Sequence, residues 1–113
     1  MSKQPDMQTM KQLFTAVSQG DKKKLESLLS SKYSPDVKND THSLMHAAAE
    51  YGQTQILDVL INKGANVNIL DSNGATPLHY GVKHNRPNAL RFLLERGASL
   101  AVKDSNGAAP LHW

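Results

Sequence analysis

A block running from Asp71 to Ala98 repeats along this chain, and nothing else in the sequence narrows the possible folds as far. His46, His79 and His112 stand 33 residues apart. The same shift carries Gly64 onto Gly97, Asp71 onto Asp104, and Asn73-Gly74 onto Asn106-Gly107. Leu57, Leu60 and Ile61 fall on Leu90, Leu93 and Leu94. A fixed period of this size marks a stack of supersecondary units, each burying its apolar face against its neighbours.

Within one block the residues spell a turn and two short helices. Asn73-Gly74 suits a tight turn, since Gly accepts positive φ without steric cost. Thr76-Pro77 suits a helix start, with Thr as N-cap and Pro at the first helical position, where its missing N–H is no loss. A second helix starts near Pro87, and Leu90, Leu93 and Leu94 give it one apolar side. Gly97 ends it where a left-handed residue is wanted.

Thr76-Pro77-Leu78-His79, the 33-residue period and Gly-Ala after a Leu-Leu helix together resemble the ankyrin repeat. The tetratricopeptide repeat has a similar period but a Trp-Leu-Gly-Tyr pattern that is missing here. The resemblance implies an all-α ankyrin-repeat solenoid, with helix-turn-helix units joined by β-turn fingers, in one domain covering 1–113. Its expected parts are an N-terminal capping repeat (7–38), a second repeat (39–70), a third (71–103) and the truncated start of a fourth (104–113).

In chain order, Met1 to Asp6 reads as a frayed end. Met10, Leu13, Phe14 and Val17 then recur at helical spacing up to Gly20, and Asp21 caps a helix striped by Leu25, Leu28 and Leu29. This repeat has Phe14 in the His position and no closing Gly-Ala, as suits a terminal unit. The connection Ser31 to Asn39 follows. Val37 to His46 is nine steps against twelve from Val67 to His79, so the first finger is expected to be about three residues shorter. Ser43 keeps the capping role, with Leu44 in place of Pro. Ala47, Ala48 and Ala49 allow close helix approach, and Thr54 to Lys63 forms the next helix with Ile56, Leu57, Leu60 and Ile61 inward. Gly81 and Asn85 depart from the repeat pattern, which favours Ala and Gly there; Asn tolerates the left-handed region. In the last block Ala109 replaces the capping Thr, and the sequence stops inside a helix, so a longer protein continuing past Trp113 is expected.

The 113 residues contain no cysteine, which excludes disulfides, thiolate nucleophiles and cysteine zinc sites. No apolar run reaches the roughly 20 residues of a membrane span, and residues 1–14 lack the apolar core of a signal peptide. An intracellular protein, cytoplasmic or nuclear, is the expectation. The net charge of +3 is uneven: residues 1–38 carry seven Lys against four acids, whereas 39–113 balance six against six. Lys22-Lys23-Lys24 lacks Arg and interleaved aromatics, so it reads as a solvated surface, with neither nucleic acid nor membrane insertion expected.

Five His invite a metal or catalytic reading, but no pair has helical zinc spacing with a carboxylate ligand. The resemblance implies that His46, His79 and His112 hydrogen-bond within their own finger and helix start, leaving His42 and His84 exposed. No nucleophile elbow or phosphate-binding Gly loop occurs, so no catalytic residue, metal or cofactor is expected. Asp71 and Asp104 read as turn residues bonding their own backbone. Asn68 resembles an asparagine-hydroxylation position, against the plainer reading of a loop residue satisfying backbone groups.

The resemblance implies protein binding on the concave face of the array. By matching positions that face draws on Asn39, Thr41 and His42 from the first finger, and on Leu70, Ser72, Asn73 and Ala75 from the second. Lys103, Ser105, Asn106 and Ala108 come from the third, with the helix-end pairs Glu50-Tyr51 and Lys83-His84. Tyr51 is the expected anchor, since Tyr often dominates interface energy, and Trp113 the expected inter-repeat packer. A scaffold or adaptor module binding another protein is the favoured reading. The alternative is a substrate-recruiting or autoinhibitory regulatory domain of an enzyme (kinase, GTPase regulator or acyltransferase), catalytic beyond residue 113. Self-association through an uncapped last repeat is also expected.

Overall fold

A computed structural model of the chain describes residues 4–29 and 32–113. Six helices follow one another: α1 (Met7–Gln19), α2 (Lys22–Leu29), α3 (Leu44–Glu50), α4 (Thr54–Asn62), α5 (Pro77–Lys83) and α6 (Pro87–Glu95). After them comes a short 3₁₀ turn, Pro110–His112. Among the described residues there is no strand, only an isolated antiparallel bridge between Lys38 and Ser43. α1, α3, α5 and the terminal turn lie side by side as an inner row, and α2, α4 and α6 form an outer row behind them. The fold is the expected all-α stack of helix pairs.

Local chemistry sets the helix starts. Asp6 accepts the Thr9 N–H at 2.7 Å and so begins α1. Pro5 is buried, so the expected frayed end does not extend to Pro5 and Asp6. Residues 1–3 lie outside the described residues, as does Ser31 of the first connection. Asp21 caps α2 by accepting from Lys24 N–H at 3.1 Å. At α3 and α5 the cap is reciprocal. Ser43 Oγ accepts the His46 N–H at 3.3 Å while His46 Nδ1 accepts the Ser43 N–H at 3.1 Å. Thr76 and His79 repeat this at 3.4 and 3.0 Å. Each pair satisfies two donors that a helix start leaves without partners. Leu44 therefore replaces Pro without loss of the cap.

Leu13, Leu25, Leu29, Leu44, Met45, Ile56, Leu57, Leu60, Leu78 and Leu93 are completely buried and form one continuous core. Ala47, Ala48 and Ala49 are buried too, and their small side chains let α3 sit close between α1 and α5. On α6 the expected stripe is buried at Leu93 alone, with Ala89 beside it. Leu90 is half-buried and Leu94 exposed, because α6 meets an outer-row helix only on the α4 side.

Beside a single bond from Lys38 Nζ to Leu70 O at 3.3 Å, four kinds of hydrogen bond recur between one repeat and the next among the described residues. Ser72 N–H donates to Thr41 O at 3.0 Å and Ser105 N–H to Asn73 O at 2.8 Å, tying finger to finger. His46 Nε2 donates to Ala75 O at 2.8 Å and His79 Nε2 to Ala108 O at 2.9 Å. Gln53 Nε2 donates to Ser18 O at 3.1 Å, and Arg86 Nε to Glu50 O at 2.9 Å. Asn66 N–H donates to Asp36 Oδ1 at 2.9 Å, and Ser99 N–H to Asn68 Oδ1 at 3.0 Å. The capping histidines thus do more than expected: their second nitrogen fastens the following finger. Asn68 takes the backbone-satisfying role, its oxygen held by the next repeat.

The fingers differ by one residue rather than three. Asn39 N–H closes on His42 O, three residues on, whereas Asp71 N–H closes on Ala75 O, four on, as Asp104 N–H does on Ala108 O. Buried Ile69, two residues before Asp71, corresponds to buried Val37 before Asn39. Counting from Val67, which is only half-buried, set the wrong register.

Candidate protein-binding face

The fingers and the inner helices line one side of the stack. Each finger is shaped by its first polar residue. Asp71 Oδ1 accepts from the N–H groups of Asn73 and Ala75, both at 2.8 Å, and Asp104 Oδ1 accepts from Asn106 and Ala108, both at 2.9 Å. Asn39 Oδ1 does the same for Thr41 and His42 at 2.8 and 2.9 Å. The expected turn-forming role of the two aspartates holds, and the second oxygen of each reaches an aromatic side chain. Asp71 Oδ2 accepts from the Tyr80 hydroxyl at 2.6 Å, and Asp104 Oδ2 from Trp113 Nε1 at 2.9 Å.

Those bonds set two rings of a row that crosses the face. Phe14 of α1 meets His42 of the first finger edge-on, with ring centroids 5.3 Å apart. His42 lies 5.8 Å from Tyr80 of α5, and Tyr80 lies 6.0 Å from Trp113. His46 and His79 pack beneath, at 4.8 Å from Tyr80 and 4.9 Å from Trp113. His42 is therefore half-buried between two aromatic rings rather than exposed. Burial lowers its pKa, against the raising effect of Glu50 and Asp71. His46 is completely buried and pushed down to about 4 by desolvation, which outweighs its bond to Ala75. It is a neutral imidazole at physiological pH.

Two hollows flank the ring row. The first, a cleft of about 340 Å³ between α1 and α3, gathers Asn39, His42, Glu50 and Tyr51 from the expected surface. It adds Phe14, Thr15 and Ser18 of α1, which matching of repeat positions does not select. Tyr51, 46 % exposed, stands at its edge. The second gathers Lys83, Asn106 and Ala108 with Asp104 and Trp113. Lys83 Nζ sits 5.8 Å from the Trp113 ring centroid, within cation–π reach. Trp113 packs between repeats as expected and also walls this hollow, being 37 % exposed. His84, like His42, is half-buried rather than exposed and borders the row, 6.5 Å from Tyr80.

The remaining expected residues divide by exposure. Thr41, Ser72, Asn73, Leu70, Lys103 and Ser105 are exposed on the fingers and lie in neither hollow. Ala75 does not belong to the surface. It is completely buried, with its carbonyl taken by His46. The signal for Phe14 was present in the sequence as an aromatic in the His position of the first repeat. Its neighbours Thr15 and Ser18 carried none.

Among the described residues no three His, Cys, Asp or Glu side chains are placed to hold one metal ion, and no buried side-chain N or O lacks a partner. No helix among them is long and apolar enough to cross a membrane.

Comparison with known proteins agrees with this geometry. A 71-residue stretch, 62 % of the chain, is 34 % identical to an ankyrin repeat-containing protein of Schizosaccharomyces pombe and covers 34 % of it. An ankyrin repeat protein of Fowlpox virus is 44 % identical over 39 residues, 34 % of the chain and 28 % of that protein. An ADP-ribosylation factor GTPase-activating protein of Arabidopsis thaliana is 45 % identical over 38 residues, 34 % of the chain and 5 % of that protein. The chain thus spans about a third or less of the length of these relatives. The profile described as ankyrin repeats, in three copies, matches residues 13–104, and the chain belongs to the ankyrin-repeat family.

Proposed function

We propose that this chain is a protein-recognition module, an adaptor or scaffold element that engages its partner on the finger side of the stack. Ankyrin repeats generally serve as protein–protein interaction modules. The observation that supports the reading most directly is the row Phe14–His42–Tyr80–Trp113 between two open hollows. Rings fixed by neighbours lose little entropy on binding, and aromatic anchors carry much of interface energy. The exposed finger residues Thr41, Leu70, Ser72, Asn73, Lys103 and Ser105 extend this surface, and His84 borders it. The module has no catalytic step of its own. The likeness to a GTPase-activating protein is confined to 5 % of that protein and lends this chain no enzymatic role.

The test is a pull-down with this chain beside a Tyr51→Ala, Lys83→Glu double variant of matched circular dichroism. A partner captured by the parent and lost by the variant supports the finger side as the working surface. A partner kept by the variant but lost when Lys22, Lys23 and Lys24 are neutralised moves the surface to the basic first repeat.

Self-association is a second reading, favoured by Leu94, Leu100 and Leu111, which are 42, 41 and 71 % exposed around the last helix pair. Light scattering that shows a monomer at high concentration eliminates it.

A further inference from the structure

We infer that the cleft between α1 and α3 takes an arginine side chain presented by the partner, an inference that rests on the finger side being the binding surface. Glu50 is the one ionised carboxylate or amine among the residues lining the cleft, which otherwise are Phe14, Thr15, Ser18, Asn39, His42, Ala47 and Tyr51. Among the described residues no donor reaches the Glu50 carboxylate. Arg86, the cation bonded to this residue, is committed through Nε to the Glu50 main-chain carbonyl at 2.9 Å. Burial lowers the pKa of His42 and the Glu50 charge opposes it; the pKa of Tyr80 is raised by burial, then by Asp71, with Glu50 adding to both.

Two hydroxyls of the cleft are already committed. The Thr15 hydroxyl donates to Lys11 O at 2.8 Å, and the Ser18 hydroxyl donates to Thr15 O at 2.9 Å. Their protons are spent inside α1, so what they offer the cleft is lone pairs. The Glu50 carboxylate and the Thr15 and Ser18 lone pairs call for a cation rich in donors, while the Asn39 amide, whose Oδ1 is taken by the Thr41 and His42 N–H groups, and the Tyr51 hydroxyl bring the donors of the cleft. The aromatic members add quadrupolar attraction, because Phe14 and Tyr51 present ring surface to the same space. A guanidinium meets both demands, with five fixed N–H donors and a flat face that stacks on rings; an ammonium brings three donors and no face. On the far side of Phe14, Lys11 and Lys38 line a separate hollow with Met7, Met10 and Asp40. The two lysines, of which Lys38 Nζ also donates to Leu70 O at 3.3 Å, outnumber Asp40 and favour an acidic residue beside the arginine rather than a run of basic ones.

The experiment titrates the isotope-labelled chain with N-acetyl-arginine N-methylamide and, separately, with its citrulline and lysine counterparts, following amide resonances. Expected is saturable movement centred on Phe14, His42, Glu50 and Tyr51 for the arginine probe. The lysine probe is expected to bind less tightly, and the citrulline probe not to saturate. In Glu50→Gln, whose spectrum reports its folding, the arginine probe should bind about tenfold more weakly, the usual cost of one charge-assisted hydrogen bond. Equal response to citrulline, movement centred elsewhere, or full affinity in Glu50→Gln overturns the inference. A partner lost by the Tyr51→Ala, Lys83→Glu variant but indifferent to Glu50→Gln overturns it too, while leaving the finger side as the binding surface. If that partner survives the double variant, the surface itself is wrong.

Discussion

The hydroxyl of Tyr80 donates to Oδ2 of Asp71 at 2.6 Å, joining the middle of an inner helix to the carboxylate that shapes its own finger. The other oxygen of Asp71 holds the Asn73 and Ala75 amides, so one side chain couples finger shape to ring position. Burial alone would raise the Asp71 pKa. The bonds from Tyr80, Ala75 and Asn73 outweigh it and hold the carboxyl below its usual value. Removing the phenol oxygen in Tyr80→Phe keeps the ring and deletes the bond. The expected loss is about 1.5–3 kcal/mol in urea denaturation, as for a hydrogen bond to a charged group. The folded-state pKa is depressed, so this stabilisation is present above the unfolded carboxylate value and is lost as pH falls through the folded one. The Tyr80→Phe deficit should therefore shrink in acid. A deficit that is absent at neutral pH would show the ring alone to be what matters.

His46 predicts a second pH dependence of defined sign. Its pKa is lowered from 6.5 to about 4 because burial penalises the imidazolium. The unfolded chain then binds the proton more readily than the folded one, so stability rises with pH between about 4 and 6.5. The full contribution is present above that window, and on the order of 3 kcal/mol is lost by its lower edge. Urea midpoints at pH 7 and pH 4.5 should differ accordingly. In a proton NMR titration the His46 ring signal should stay in its neutral position as the pH passes through 6.5. Titration of His46 near 6.5 in the folded protein would remove the effect.

The repeat architecture was legible because buried residues recur with it: Leu57 and Leu60 match Leu90 and Leu93 in sequence and, Leu90 apart, in burial. Caps were legible for the same reason, Ser43 and Thr76 each standing three residues before a histidine. The ring row was not. Tyr80 and Trp113 occupy matched positions, but Phe14 stands in the place of a capping histidine and His42 on a finger, so no repeat alignment brings the four together. Only the packing of three repeats does. Ala75 failed for a related reason. Its matched position is a finger position, yet the chain there turns inward to offer its carbonyl to His46. The length of the first finger is hidden in the sequence because Val67 resembles Val37, while its buried counterpart is Ile69.

The two departures in α5 and its end predict opposite responses. Gly81 lies inside α5, where a Cβ would meet Leu90 Cδ2 at 3.1 Å and Cγ at 3.3 Å. Leu90 is half-buried, and its side-chain end must give by a few tenths of an ångström. Ala is more favourable than Gly in a helix by about 0.8–1.0 kcal/mol, so Gly81→Ala should stabilise by about 0.5 kcal/mol after the contact relaxes. Asn85 has φ 54°, the one positive φ among the described non-glycine residues. Asn85→Ala forces a Cβ into that region without the local bonding of Asn and should cost about 1 kcal/mol. Thermal melts read both, and a lower melting point for Gly81→Ala would mean that Leu90 is held fast.

Ala109 marks where the capping chemistry is incomplete. Its N–H donates to His112 Nδ1 at 3.1 Å, the same half-bond that Ser43 and Thr76 make. It has no side-chain oxygen to accept the His112 N–H, which turns instead to the Ala109 carbonyl at 2.9 Å. The segment Pro110–His112 is a 3₁₀ turn. Ala109→Thr restores the missing acceptor at a position whose backbone is already extended, with φ −79° and ψ 163°. The expected gain is about 1 kcal/mol, the usual worth of an N-cap, confined to the segment it caps. Amide exchange at His112 should therefore slow by severalfold while exchange in α3 and α4 stays unchanged. Because Trp113 is bonded to Asp104 on the third finger and packed on His79, a firmer turn should also hold the indole more rigidly over Lys83. Indole fluorescence anisotropy can detect that, and unchanged exchange at His112 would show that the cap does not control this segment.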